Sequence, residues 1–312
     1  MKHKYQSITP LFFLPCLLLL FSSIIHAQTT PTDVFYAVKQ INLDIESLRV
    51  HLKKDKNVQP EMNLSNVSPR EVYAQTLTMQ LKADQLSFEQ LGKRQTLLYQ
   101  FIEGKITPKH VLAVVNNIQK ILLPILTQQG LAITHKTPQT SKAKTPTDVF
   151  IFIIQNNRQL NLLLDQKLVP SDVYIRVQES INYAAALHPQ FPNIKMPILQ
   201  PLVKGKTPAD VYARLADAFN VIREMLLLSG IKTMEIHKIE ASGKIIPSDV
   251  YDMASLVHSE IKAAYFNMKK RNFVEGAYYP GPKKPHDVYQ QVGLLEDLLL
   301  DLLLDQLSEH KQ

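Results

Sequence analysis

The chain has 312 residues and a formal net charge of +7, from 35 Lys and Arg against 28 Asp and Glu, with 45% hydrophobic residues. That length supports one large or two ordinary hydrophobic cores. A single cysteine, Cys16, excludes disulfide staples and thiolate metal sites from the rest of the chain. With 9 glycines and no Gly-rich phosphate loop, nucleophile elbow or zinc-peptidase motif, no enzyme class is marked.

Residues 1–27 carry Lys2 and Lys4 ahead of an apolar run from Leu11 to Ile25 and end on Ser22, Ser23 and Ala27. This composition predicts a secretory signal cleaved after Ala27, with a retained anchor as the alternative. Export and the lack of thiols together point to a bacterial periplasm, with secretion or signal anchoring as alternatives. The charge that remains is uneven. Residues 28–167 hold 17 basic and 11 acidic side chains, or +6, whereas residues 168–312 hold 16 and 17, or −1.

A short word then recurs eight times: a residue, Pro, one variable position, usually an acid, then Val and usually Tyr or Phe. The copies begin at Pro31, Pro69, Pro108, Pro146, Pro170, Pro208, Pro247 and Pro285, spaced 38, 39, 38, 24, 38, 39 and 38 residues apart. Each copy in the first half has a counterpart 139 residues later, which reads as a tandem duplication of a four-copy unit. The word is that of a helix start. In Thr30-Pro31-Thr32-Asp33-Val34-Phe35 the Thr accepts from a first-turn N–H, Pro sits where its missing donor costs nothing, and Asp33 reaches back to the capping residue. Glu71, Asp148 and Asp210 repeat the full box. Asp172, Asp249 and Asp287 follow Val169, Ile246 and Lys284, which have no side-chain acceptor, and His110 replaces the acid in the third copy. Capping is therefore not expected to be what every copy requires. The invariant Val opens an apolar seam, Val34, Val38, Ile41, Ile45, Leu48 and Leu52 in the first copy, with the steps of three and four of a packed amphipathic helix.

The connectors predict the topology. The link between the fourth and fifth helices, around Lys167 and Leu168, is short enough that these helices run antiparallel. The other connectors, about 15 residues each, can return along the full length of a 20-residue helix. Most carry apolar residues, such as Leu97, Leu98, Tyr99, Phe101 and Ile102, or Ile194, Met196, Ile198, Leu199, Leu202 and Val203, and these are expected to pack onto the helices. Residues 134–144 have the composition of a linker. The last helix is Leu-rich around an acidic stripe of Asp297, Asp301 and Asp305, so it is expected to be central in its bundle or covered by another molecule.

These observations define an all-α chain of eight principal helices in two tandemly duplicated, bundle-like four-helix units with long packed connectors. The expected division is residues 1–27 as signal peptide, 28–167 as the first unit and 168–312 as the second. Two sets of residues stand out as candidate sites. Tyr278, Tyr279, Lys283 and Lys284 set adjacent aromatics beside a basic, Pro-rich turn, a mix suited to a sugar or an anionic chain. The helix-start residues Asp33, Glu71, Asp148, Asp172, Asp210, Asp249 and Asp287 are read as structural. The scattered histidines lack the spacing of a metal motif, and Glu235, His237 and Glu240 read as a solvated trio on a connector. The expected function is an exported binding or interaction module without catalytic activity, taking an unknown protein, glycan or small molecule of the cell envelope. No cofactor, metal or nucleic acid is expected, and self-association through the last helix is an option. The alternatives are an envelope enzyme with a dispersed site and a structural or assembly factor.

Overall fold

A computed structural model of the chain describes residues 28–56, 61–98, 102, 104–131, 142–165, 167–190, 195–237, 245–267 and 274–309. The signal-peptide reading of residues 1–27 and most of the 134–144 linker lie outside these residues, as do Tyr99, Phe101, Ile194 and Glu240. Among the described residues the fold is eight α-helices, a three-residue 3-10 turn at His188–Gln190 and one two-residue strand pair. The helices are α1 (Pro31–His51), α2 (Pro69–Leu91), α3 (Pro108–Gln128), α4 (Pro146–Leu163), α5 (Pro170–Leu187), α6 (Pro208–Leu228), α7 (Pro247–Asn267) and α8 (Pro285–Glu309). The strands are β1 (Leu64–Ser65) and β2 (Glu235–Ile236). Every helix begins on the Pro of the repeated word.

The starts explain why the word is kept. In all eight copies the backbone N–H of the residue before Pro donates to the side chain at the third helical position. Thr30 donates to Asp33, Ser68 to Glu71, Thr145 to Asp148 and Thr207 to Asp210, each at 2.7 Å. Val169 donates to Asp172 and Lys284 to Asp287 at 2.8 Å, Ile246 to Asp249 at 2.9 Å, and Thr107 to Nδ1 of His110 at 3.1 Å. The copies in which the box decays thus keep its return half. Only the forward bond from a Ser or Thr side chain is lost at Val169, Ile246 and Lys284; the return bond needs only a main-chain donor.

The invariant Val is buried in every copy. In the second half, Val173, Val211, Val250 and Val288 meet with Pro170, Pro208, Pro247 and Pro285 around one apolar pocket. The four starts therefore share one end, and α5 to α8 run parallel. The first half behaves likewise. The start of α4 donates from Lys144 N to Thr32 Oγ1 at the start of α1 (2.9 Å). At the other end His51 and Gln129 bond at 3.0 Å, and Gln129 donates to Gln90 at 3.4 Å, bringing the ends of α1, α3 and α2 together. Each connector within a half must therefore return along the bundle. In both halves the first and second helices each pack on the third and fourth, giving the ring orders α1-α3-α2-α4 and α5-α7-α6-α8.

The halves join through α2 and α7. Arg70 near the start of α2 meets Glu260 late in α7, and Lys82 further along α2 meets Asp252 earlier in α7, so these helices, and hence the halves, are antiparallel. The turn between α4 and α5 reverses the chain accordingly. Strands β1 and β2 add an antiparallel stitch, with Leu64 opposite Ile236 and Ser65 opposite Glu235.

Centrality falls on α2 and α7, and not on α8. Helix α8 packs against α5 and α6 through Leu295, Leu298, Leu299, Leu302 and Leu303, while Leu300 and Leu304 are 39% and 62% exposed. Within the second half, α7 buries His258 against α5: the ring lies edge-on to Tyr183 at 5.4 Å, and Nδ1 is 3.4 Å from Ser180 Oγ. Burial, with the positive charges of Arg176 and Lys262 nearby, holds this imidazole well below its usual 6.5. The unfolded chain takes up a proton near pH 6.5 and the folded one does not. The stability associated with neutral His258 is therefore intact above 6.5 and lost as pH falls below it, by at most about 1.4 kcal/mol per pH unit. Urea unfolding from pH 7 to 5 should show this decline, and His258→Gln should flatten it; parallel profiles for the two proteins would remove His258 from the account.

Candidate functional site

Two places concentrate chemistry: the seam between the halves and the surface over α6 and α8. At the seam, α2 and α7 are buried on nearly all sides although both are rich in polar residues. Among those of α2 and α7, Glu71, Gln75, Gln80, Lys82, Asp84, Asp249, Asp252 and Glu260 are buried. A helix enclosed on all sides is normally apolar all round, so these groups need partners: Gln80 and Asp84 find theirs within the first half, and others across the joint. Lys82 Nζ lies 2.6 Å from Asp252 Oδ1, Asn161 donates to the other carboxylate oxygen at 3.5 Å, and Gln75 donates to the Asp252 carbonyl at 3.3 Å. Loss of hydration pushes Asp252 up and Lys82 down, each against the attraction of the other.

A second cluster lies further along. Arg70 bridges Glu260 (2.8 Å) and Glu71 (3.3 Å), Thr233 donates to Glu260 at 2.9 Å, and Met234 N donates to Glu71 at 2.9 Å. Burial and the neighbouring Glu71 raise Glu260, while Arg70 opposes them. Beside these clusters a cleft lined by Gln75, Phe150, Arg158, Tyr212, Asp249 and Asp252, among others, holds about 20 Å³ of space, the size of a water molecule. Burial there pushes Tyr212 up to about 12. The acids of this region serve one another's cations and the backbone.

The other site is the connector from α5 to α6. Residues 195–206 read Lys-Met-Pro-Ile-Leu-Gln-Pro-Leu-Val-Lys-Gly-Lys and carry no acid. Met196, Ile198, Leu199, Leu202 and Val203 are exposed, Ile198 at 89%. This corrects the expectation that they pack inward; in the α2 to α3 connector Leu97, Leu98 and Ile102 do pack against the core. One residue fastens the segment. Gln200 donates to Asp297 at 2.7 Å, its side-chain oxygen accepts from Arg214 at 3.3 Å, and its carbonyl accepts from Gln290 at 2.5 Å. Arg214 is itself held by Glu296 at 2.8 Å and lies over the Tyr289 ring at 4.5 Å. It has room because α8 carries Gly293 there, where a Cβ would stand 2.6 Å from the guanidinium. With Gln200 facing the helices, its apolar neighbours are turned outward.

In the described part of the counterpart segment 139 residues earlier, residues 61–67, the apolar side chains are covered. Met62, Leu64 and Val67 are buried at the seam, where β2 pairs with β1. Val203, which corresponds to Leu64, is 53% exposed.

The predicted basic, aromatic turn is also on the surface. Tyr278 and Tyr279 are 78% and 68% exposed, and the Tyr278 hydroxyl donates to Glu275 at 2.9 Å. Lys283 instead serves the fold: its N–H donates to Ser171 Oγ at 2.9 Å and its Nζ lies 4.8 Å over the Tyr174 ring, as Lys144 lies 4.5 Å over Phe35. Lys284 supplies the main-chain donor to Asp287. The helix-start acids do not gather into one site. Each of the seven caps its own helix, and Glu71 and Asp249 do so while buried at the seam. Of the connector trio, Glu235 pairs with Arg223 at 2.5 Å and His237 bonds Ser65 at 2.9 Å, so neither is simply solvated. Among the described residues no group of three His, Cys, Asp or Glu side chains is placed to hold a metal ion. No protein-family model, curated protein or solved structure matches the chain.

Proposed function

We propose that the protein is an exported helical interaction module that works by contact and not by catalysis, and that its contact surface is the connector strip at residues 195–206. The observation that carries this reading is the outward apolar row of Met196, Ile198, Leu199, Leu202 and Val203 on a segment fixed in place by Gln200. Isolated exposed apolar residues are ordinary on a soluble surface, but a contiguous row of them marks a contact region. The seam supports the same reading from the other side. Its charged groups are engaged with one another beside a cleft the size of a water molecule, an arrangement that holds two halves together and leaves little room for a substrate. Export is part of the proposal through the composition of residues 1–27.

Photo-crosslinking in the native envelope tests the surface. A crosslinking residue at position 198 should give discrete adducts, while one at the exposed Asn220 of α6 should give none. Equal labelling from the two positions, or none from either, would overturn the assignment, and turnover of an envelope substrate by the purified protein would replace it with an enzyme.

A further inference from the structure

We infer that residues 195–206 are a docking surface for an anionic phospholipid bilayer, an inference that rests on the strip being the contact surface proposed above. Three features select this occupant. First, the charge is one-sided. Lys195 and Lys204 are exposed at the two ends of the apolar row, Lys206 follows with its Nζ 4.3 Å over the Tyr289 ring, and no acid lies between them. Apolar side chains between lysines match the boundary of a bilayer, where the former enter the acyl region and the latter stay among anionic headgroups. Second, the backbone is unsuited to strand addition. Pro197 and Pro201 remove two donors from a segment without regular secondary structure, which blunts it as an edge for a partner strand and leaves side chains as the means of contact. Third, Gln200 and Arg214 hold the row against α6 and α8, so insertion does not require ordering a loose loop.

The acids that touch the strip offset the lysines only in part: Glu296 is paired with Arg214, and Asp297, which accepts from the uncharged amide of Gln200, sets one negative charge against Lys195, Lys204 and Lys206. In the first half the described counterparts do not form such a row: Leu64, which corresponds to Val203, is buried beside β2, and Leu202 corresponds to the polar Asn63.

The test uses protein purified after export, its N-terminus checked by intact mass, and sedimentation with vesicles of phosphatidylglycerol and phosphatidylcholine or of phosphatidylcholine alone. Binding to the anionic vesicles should exceed binding to the neutral ones by roughly tenfold and fall several-fold when salt is raised well beyond the point where the screening length is about 10 Å. Ile198→Asp with Leu202→Asp should lose at least about tenfold of the binding, since a charge carried into the acyl boundary is costly. Lys195→Gln with Lys204→Gln should lose most of the preference for anionic lipid. Both variants alter exposed residues, and an unchanged helical spectrum and melting temperature confirm that they fold. Absence of vesicle binding, equal binding to both vesicle types, or binding indifferent to these substitutions would overturn the lipid assignment, the last also covering attachment by a retained leader. Protein adducts from position 198 without vesicle binding would leave the contact surface standing with a protein as its occupant, whereas failure of both experiments removes both readings.

Discussion

Replacing Lys82 by Met should cost about 3–5 kcal/mol of stability, the loss expected when one member of a buried ion pair is removed and the other remains. Asp252 would keep the weak bond from Asn161 while losing the ammonium 2.6 Å away, in a place where burial already pushes its carboxyl up. The sign with pH follows. An acid whose folded pKa lies above its unfolded value disfavours folding where it is charged, so the deficit of the variant is largest at neutral pH and shrinks as pH falls and Asp252 takes up a proton. The double variant Lys82→Met with Asp252→Leu should recover most of the loss, because an apolar pair avoids dehydrating two charges. Urea unfolding of the three proteins at pH 7 and pH 5 measures all of this. A single variant as stable as the parent, or a double variant no better than the single, would show that the pair does not hold the halves together.

The eight helix starts were legible because their chemistry is local. Pro at the first helical position, an acceptor two residues later and an apolar residue next to it act within one turn. The structure places all eight starts on those prolines. The strength of the signal was underestimated for a physical reason: Val169, Ile246 and Lys284 look like poor caps when judged by their side chains, yet each offers the main-chain N–H that Asp172, Asp249 and Asp287 accept. The centre of the molecule was not legible. Leu density marked α8 as central in its own bundle or covered by another molecule; its buried Leu residues lie on the helix that packs against α5 and α6, with Leu300 and Leu304 exposed. The helices at the centre, α2 and α7, are polar, and their burial depends on partners distant in sequence, among them Lys82 with Asp252, Arg70 with Glu260 and Met234 N with Glu71. One trace was present. The run Gln-Asn-Asn-Arg-Gln-Leu-Asn at residues 155–161 is rich in amides at helical spacing, and Asn156, Asn157, Gln159 and Asn161 are all buried.

The contact strip shows the complementary limit. Apolar composition marked Met196, Ile198, Leu199, Leu202 and Val203 as residues in need of cover, but cover is a long-range property. Leu64 is buried because Ile236 pairs with it from the other half. Gln200 sits in the middle of its apolar neighbours and reads as an interruption; in the structure it is the residue that turns the row outward. The tyrosines show the same limit. Adjacent aromatics on a connector read more readily as packing folded back onto the helices than as a contact surface, yet Tyr278 and Tyr279 are exposed, while Lys283 is drawn back onto Tyr174.

Glu71 and Asp210 occupy the same position of the repeated word, and their replacement by Ala should separate what the word does from what the seam does. Asp210 accepts from Thr207 N at 2.7 Å and from Thr207 Oγ1 at 2.6 Å, and its own N–H donates to that hydroxyl at 3.3 Å, all at a helix start open to solvent. Asp210→Ala should cost about 1 kcal/mol, the worth of a cap, and Asp210→Asn less, because an acceptor oxygen remains. Glu71 makes the same return bonds to Ser68, but it is fully buried and also accepts from Met234 N across the joint between the halves and from its neighbour Arg70. Glu71→Ala leaves the Met234 N–H without its acceptor and Arg70 with Glu260 alone, which should bring the loss to about 3–5 kcal/mol. Glu71→Gln should fall between, since the amide oxygen keeps one acceptor and the repulsion that raises Glu260 is relieved. Equilibrium unfolding of the four variants decides the matter: equal losses for Glu71→Ala and Asp210→Ala would reduce Glu71 to an ordinary cap, while a gap of at least about 2 kcal/mol, as expected from the added buried bonds, makes it a shared element of the second helix start and the junction.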